Sequence, residues 1–496
     1  MKRATALTVT VLALLLSAAA SAETTLRVGV RLLPATQAAP FTSILLPSAI
    51  VNHAVYDTLT AIAPDGSVKP WLATAWRMKD QQTWEFDLRD GVVFSNGAPF
   101  TADAVVDTIE FLLSPEGAGE SVGSQMRYNT VIGARALDAD TVEITTTQPD
   151  AILPLHMMFL RVPEPGAWRE LGAQRFSSAP VGTGPFVVTR WADGRVDLIA
   201  NRASWRAPKV DRLAFITVAD QAARLQALAS DAVDIAIGLS PTDKPVLDDI
   251  GAKLVTHLKP EISFLATNST GDTPLTDVRV RQALNHAVNR QQIIDVILGG
   301  ATTPASQIAH DLSFGFNRTL EPYGYDPDLA RNLLAAAGHA DGFDFPVALV
   351  GNQNELDTVY QLIASDLAAV GVRMTIVRIT GAQQLQFLYQ GGWPTLGWAM
   401  TSSMYDPLGG FRIRSCIWPH AYHCDPEILP LIEAAQIAPT AAERRALTEQ
   451  VMAREHAIPP GIILWQSPGF DGVSRHVRGF KASEDFIPFH EIELTP

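Results

Sequence analysis

The chain has 496 residues, of which 47% are hydrophobic and 18% charged, a globular composition with room for two or three domains rather than a disordered one. Its formal charge of −14 argues against a polyanionic partner, so no nucleic acid is expected. Residues 1–22 read as a secretory signal peptide: Lys2 and Arg3, an apolar run from Leu7 to Leu16, then Ala20-Ser21-Ala22 as the cleavage site. Without Lys2 and Arg3 the charge moves from −14 to −16. No cysteine lies near Ala22 to carry a lipid, and no other segment offers about 18 consecutive apolar residues. The mature chain is therefore expected to begin near Glu23 without a membrane anchor.

Thr25–Val30 is the first expected strand, followed by an irregular Pro- and Thr-rich loop and a helix over Ser48–Leu59 that carries Asn52, His53 and Tyr56. Residues 84–107 are the most patterned stretch. Trp84, Phe86 and Leu88 alternate with Glu85 and Asp87 as a half-buried strand does. Asp90-Gly91 and Asn96-Gly97 are turns, Val92–Phe94 is a short apolar run and Pro99 stops pairing. Thr101 is the expected cap of a helix with Val105, Ile109 and Leu112 on one face. A hairpin follows around Asp138-Ala-Asp140, then a short apolar helix Leu153–Leu160 and the segment Arg161-Val-Pro-Glu-Pro-Gly166. Gly182-Thr-Gly-Pro-Phe186 lacks the third glycine of a dinucleotide loop, and Pro185 blocks a helix start, so it reads as a turn into a strand. Further on, Gln221–Ser230 (helix), Asp234–Ile237 (strand), Leu254–Leu258 and Ser263–Asn268 (strands) set an alternation that favours α/β layers. Asp277 caps a helix running to Gly299-Gly300, on which Arg279, Arg281 and Arg290 are expected to be solvated. Asp326, Pro327 and Gly338 punctuate another helix. Strands are expected at Asp344–Val350, Val372–Arg378, Thr395–Met400 and Gly461–Gln466, and helices at Leu356–Val370, Gln383–Tyr389, Glu427–Ala435 and Ala441–His456.

Four of these stretches, in this order, resemble the family 5 extracellular solute-binding proteins of ABC importers: residues 84–107, Gly182-Thr-Gly-Pro-Phe186, Val280-Arg-Gln-Ala-Leu-Asn-His-Ala-Val-Asn-Arg290 and Tyr325–Gly338. The resemblance spans residues 25–496. It implies an α/β fold of two lobes, the large type II periplasmic binding protein fold with an extra subdomain in lobe one. Lobe one is expected over 23–267 and 467–496, with the subdomain at about 52–178, and lobe two over 268–466. It also implies periplasmic location, capture of a peptide or other small solute as a monomer, delivery to the permease of an ABC importer, and no cofactor.

The sequence carries no Gly-x-Ser-x-Gly, His-Glu-x-x-His, Gly-x-x-x-x-Gly-Lys or Cys-x-x-Cys motif, so an enzyme is not expected. A secreted hydrolase, the reading from another class, would need a catalytic constellation of which there is no sign. The resemblance puts the ligand against Trp398, as a flat wall, and the loop Thr401–Pro407. Thr401, Ser402 and Ser403 offer hydroxyls; Tyr405 offers a ring and a hydroxyl; Asp406 either accepts from a ligand amine or caps the turn before Pro407. Peptide receptors of the family usually carry an Asp where Thr401 stands, which opens metal-chelate, opine and other hydroxylated or anionic solutes as alternatives. Arg161 either holds an anionic ligand group or pairs with Glu164 at the surface. Asn52 and His53 are further candidates, and Arg412 and Arg414 are left undecided. Cys416 and Cys424, with seven residues between them, are expected as a disulfide in an exported protein. His420 and His423 lie between them, but the spacing matches no common zinc pattern.

Overall fold

A computed structural model describes residues 23–41, 48–63, 65–120, 130–192, 194–351, 354–402, 405–411, 413–482 and 487–495. The expected signal peptide, Ser403 and Arg412 lie outside the described residues. One ten-stranded sheet runs through the molecule, in the spatial order 372–379, 343–350, 397–402, 253–267, 461–473, 235–237, 25–30, 212–217, 195–200 and 186–192. By the lobe bounds expected from the sequence, the last five fall in lobe one and the first three in lobe two. Strands Lys253–Thr267 and Gly461–Val473 lie between the two sets.

These two long strands pair antiparallel from Lys253↔Val473 to Ala266↔Gly461. One end lies beside 235–237 of lobe one, and at the other Ile262–Thr267 pairs with Gly397–Ser402 of lobe two. The sequence reads two short strands here, ending near Leu258 and starting at Ser263. The chain instead continues through Lys259-Pro260-Glu261 as a bulge, where the ladder skips from Leu258 to Ile262. Pro260 has no N–H to offer, and a bulge is where a strand tolerates that loss. Beyond it, the tail returns to lobe one, where Ile487, Phe489 and Ile492 are buried with Leu26, Val28 and Phe215.

The subdomain is a four-stranded sheet in the order 73–80, 83–88, 141–146, 131–136, with helix Ala102–Leu113 packed on it. Trp84, Phe86, Phe94, Val105 and Ile109 share one core, as their spacing requires. Val92–Phe94 is not a strand; Val93 makes an isolated bridge to Pro99. Thr101 occupies the N-cap position in extended backbone, but its side chain makes no capping bond.

Asp57 ties the parts of lobe one together. Its Oδ1 accepts from Trp71 Nε1 (2.7 Å) and Arg206 Nη2 (2.6 Å), and its Oδ2 from Thr183 Oγ1 (2.8 Å) and Trp205 Nε1 (3.0 Å). The Gly-Thr-Gly-Pro segment explains itself at this point. A Cβ on Gly182 would lie 2.2 Å from the carbonyl oxygen of Val55, and one on Gly184 2.4 Å from the Val55 carbonyl carbon. The motif is therefore a close approach of backbone to the end of helix Ser48–Val55, which lets Thr183 reach Asp57.

In lobe two the expected single helix after Asp277 is two, Val278–Ala287 and Arg290–Ile297, broken by the extended Val288 and recapped by Asn289. Arg279 is exposed, but Arg281 and Arg290 are not solvated as expected; they are 4% and 2% exposed. Arg281 Nε donates to Pro459 O at 2.7 Å and its Nη1 to Leu275 O at 2.7 Å. Arg290 Nε donates to Ile463 O, and its Nη2 to Asn285 Oδ1 at 2.8 Å. A guanidinium fork fits several carbonyls at once, so both arginines pin these helices to the shared strand and its approach. Helix Pro165–Ser178 was not expected; Glu164 caps it, accepting from Gly166 N (2.9 Å) and Ala167 N (2.6 Å). Cys416 and Cys424 are bonded, with Cα atoms 4.6 Å apart.

Two outcomes are expected. Asp57→Ala leaves the buried Arg206 without its counter-charge and should destabilise by about 3–5 kcal/mol in urea unfolding; a loss under 1 kcal/mol would remove Asp57 from this role. Reducing the disulfide should lower stability by ~2–3 kcal/mol, the loop-closure value for so short a loop. Thiol titration without reductant should find no free thiol.

Candidate functional site

The lobes meet where the short helical turn 153–159 of lobe one faces Tyr405–Phe411 and the segment around Phe314 of lobe two. Pro154 O accepts from Thr60 Oγ1 at 2.7 Å, and Asp150 O from Trp84 Nε1 at 3.0 Å, so this turn is fixed to the subdomain. Tyr405, 6% exposed, packs with Ile152 and Leu155 across the boundary, with Phe314 and Leu312 beside it. Phe314 N donates to Tyr405 O at 2.7 Å, which holds the tyrosine backbone in place.

A chain of charges crosses the same seam. His156 Nδ1 lies 3.0 Å from Asp150 Oδ2, and its Nε2 lies 3.6 Å from Asp406 Oδ2. Asp406 Oδ2 also accepts from Arg444 Nη2 at 2.8 Å, and its Oδ1 from Leu408 N at 3.2 Å. Burial by itself pushes the His156 imidazole down, but Asp150 and then Asp406 more than offset it and hold it at about 9. Burial likewise works against the Asp406 carboxylate, and Arg444 and His156 outweigh it, so its pKa is lowered. The imidazolium is thus shared by a carboxylate from each lobe.

Arg161, Asn52 and Tyr56 are gathered on lobe one around residues 38–40. Tyr56 Oη donates to Ala38 O (2.8 Å), Asn52 Nδ2 to Ala39 O (3.2 Å) and Arg161 Nη1 to Pro40 O (3.1 Å). Arg161 is 5% exposed, not at the surface, and the Glu164 carboxylate caps the helix 165–178 and takes Asn96 Nδ2 at 3.1 Å. His53 is half-buried beside it; desolvation first, then Arg161 and Arg206, lower its pKa well below the usual histidine value, so it is neutral.

On lobe two, Trp398 is fully buried. Its ring stacks on Trp393 with centroids 3.8 Å apart, and meets Tyr422 edge-on at 4.8 Å. Among the described residues its indole Nε1 has no hydrogen-bond partner. The expected loop from Thr401 begins later, because the strand runs through Ser402, with Thr401 opposite Ser263 and Ser402 opposite Ile262. Strand alternation then sets Trp398, Met400 and Ser402 on one face and the exposed Thr401 on the other. Arg414 is buried and paired with Glu455 at 2.8 Å. Sequence reading did not single out Asp150, His156, His310 or Arg444. The signal for His156 was its place as the one ionisable group in the apolar run 153–160; Arg444 and His310 gave none.

One sheet carried through two lobes by a pair of long strands, with aromatic and polar side chains collected where the lobes face each other, defines a two-lobe solute-binding protein. Residues 67–414 match the model of the bacterial extracellular solute-binding proteins, family 5, middle region, and the chain belongs to that family. It is 27% identical over 467 residues to di/tripeptide-binding protein 2 of Pseudomonas aeruginosa (strain UCBPP-PA14), covering 87% of each chain. Its fold is similar to that of NikA from Brucella suis in complex with Fe(III)-EDTA, at a TM-score of 0.83, 22% identity and coverage of 95% of this chain and 100% of that one. The ABC transporter-associated periplasmic binding protein DppA from Helicobacter pylori, in complex with the peptide STSA, gives a TM-score of 0.77 at 22% identity, covering 95% and 98%.

The His156 bridge has a definite pH dependence. The folded-state value of about 9 lies above the ordinary 6.5, so the stabilisation is complete below 6.5 and is lost as the pH rises through about 9. His156→Gln should therefore be less stable than wild type at pH 7, by about 1–3 kcal/mol, and the gap should narrow by pH 10. A gap that stays constant over that range would mean His156 is not charged in the fold.

Proposed function

We propose that this protein is the periplasmic receptor of an ABC importer that takes a peptide or peptide-like solute between its lobes and hands it to the permease. The single observation that carries this reading is the seam itself, where Tyr405 of lobe two packs on Ile152 and Leu155 of lobe one and His156 faces Asp406. The likeness to the di/tripeptide-binding protein of Pseudomonas aeruginosa supports a peptide as the solute. The mechanism is capture: the solute bridges both lobes, and only contacts made with both favour the closed form.

Trp398, Tyr405, Ser402, His53 and Arg161 line the site in this reading. Asp406 and Asn52 position it, since their polar atoms bond to Arg444 and Leu408 and to Ala39 respectively. Thr401 faces away from it. The protein works as a monomer, secreted through the signal peptide that ends near Ala22. We place the first crossing between lobes at the bulge from Leu258 to Ile262, earlier than Thr267, because Phe264 to Thr267 already pair with the lobe-two strand.

Thermal-shift screening with di- and tripeptides tests this. A cognate peptide at a hundred times its Kd should add about 2.7 kcal/mol of stability. Trp398→Ala should weaken that binding, and Arg161→Ala should weaken it most for solutes bearing a carboxylate. A shift given by metal chelates and by no peptide would replace the solute class; unchanged affinity in both variants would displace the site.

A further inference from the structure

A groove that takes no part in the seam lies between helix Ala102–Leu113 and helix Pro165–Ser178, about 400 Å³ in volume. Pockets of about 300–1,000 Å³ hold small organic ligands. Three aromatic rings line this one. Trp168 lies 5.1 Å from Phe111 and 5.4 Å from Phe41, centroid to centroid, and Phe41 lies 5.4 Å from Phe111. The Trp168 ring is edge-on to both, and edge-on again to the fully buried Phe176 at 5.1 Å. The wall is thus fixed by packing within the fold. Phe111 and Trp168 are half-buried, so part of each stays open to solvent.

The polar lining is acidic. Asp107, Glu110 and Phe111 fall on one face of their helix, as spacings of three and four residues do. Glu116 follows on the next helix, Pro115–Glu120. Arg169, the one cationic side chain of the lining, is taken by Asp107 at 2.8 Å. Glu110 and Glu116 are exposed, and among the described residues neither carboxylate is in an ion pair. Gly172 also lines the groove and interrupts the second helix, with φ 69° and ψ 161°, backbone angles that only glycine adopts readily. A Cβ there would meet nothing within 4 Å, so it is the kink and not the packing that calls for glycine. The kink bends the helix beside the groove and adds no side chain to fill it.

We propose that this groove binds a small alkylated ammonium ion, at a site separate from the seam. The face of an aromatic ring attracts a cation held within about 6 Å of its centroid. Alkyl groups on the nitrogen spread that charge over an apolar surface, which suits three aromatic walls, and Glu110 and Glu116 add attraction from the rim. A bare metal ion would need a shell of oxygen ligands instead. An anion would meet two unpaired carboxylates, and a neutral apolar molecule would use the rings but gain nothing from the acidic rim. The inference depends neither on the peptide reading nor on the lobe bounds.

Calorimetry with tetramethylammonium, choline and neohexyl alcohol decides it; the alcohol has the shape of choline with carbon in place of the charged nitrogen. Choline should bind saturably and at least about tenfold more tightly than the alcohol, as a desolvated cation–π contact requires. Trp168→Leu should cut choline affinity about tenfold. Glu110→Gln combined with Glu116→Gln, both at exposed positions, should weaken choline binding about threefold or more and flatten its dependence on salt. Absence of saturable binding by both ammonium ions, equal binding of choline and the alcohol, or a folded Trp168→Leu protein with undiminished choline affinity would overturn the proposal. Should Trp168→Leu not fold, the double glutamine variant decides in its place, and unchanged choline affinity there overturns the proposal as well.

Discussion

The ladder between Lys253–Thr267 and Gly461–Val473 is the constraint on which the rest depends. In the proposed reading both strands belong to both lobes, so one ladder, interrupted at its register shifts, ties the lobes together. The same ladder loses its regular register at Leu258–Ile262, around Pro260. A skipped pair leaves backbone that is not locked by its neighbour, and such a place absorbs changes in dihedral angle at small cost. In the proposed reading this bulge is the hinge between the lobes. Arg281, Arg290 and Asn285 fasten the lobe-two side, since their side chains bond to Pro459, Ile463 and Gly461 around the start of the returning strand. On the lobe-one side Asp57 does the corresponding work, drawing the subdomain, the Gly-Thr-Gly-Pro turn and Arg206 to one buried carboxylate.

With the lobes so joined, the seam becomes the place where chemistry can vary. Its apolar part, Tyr405 on Ile152 and Leu155, is small. Its polar part uses a charged histidine between two carboxylates, one from each lobe. A large apolar interface would hold the closed form without a solute; a small one with a few aimed charges leaves the balance to the ligand.

Much of the scaffold was legible in the chain. Trp84–Leu88 and Val105–Leu112 followed their periods, and Asp277, Asp326 and Pro327 marked helix starts because each acts within a few residues of itself. The misreadings came from longer range. Arg281 and Arg290 look like surface charges on a helix, and only the carbonyls of a strand distant in sequence show why they are buried. Leu254–Leu258 and Ser263–Asn268 read as two strands, and only the partner strand joins them across a bulge. The seam was legible in part: Tyr405 and Asp406 came from the family pattern, whereas the pairing of His156 with Asp406, and of Asp406 with Arg444, joins residues that no local rule connects.

The claim beneath all of this is that the solute closes one lobe on the other about the shared strands. Small-angle X-ray scattering during titration with a binding peptide tests it most directly. A saturable fall in the radius of gyration, following the same isotherm as calorimetric binding, is the expected result. A radius that stays constant while calorimetry records full binding would contradict capture by closure.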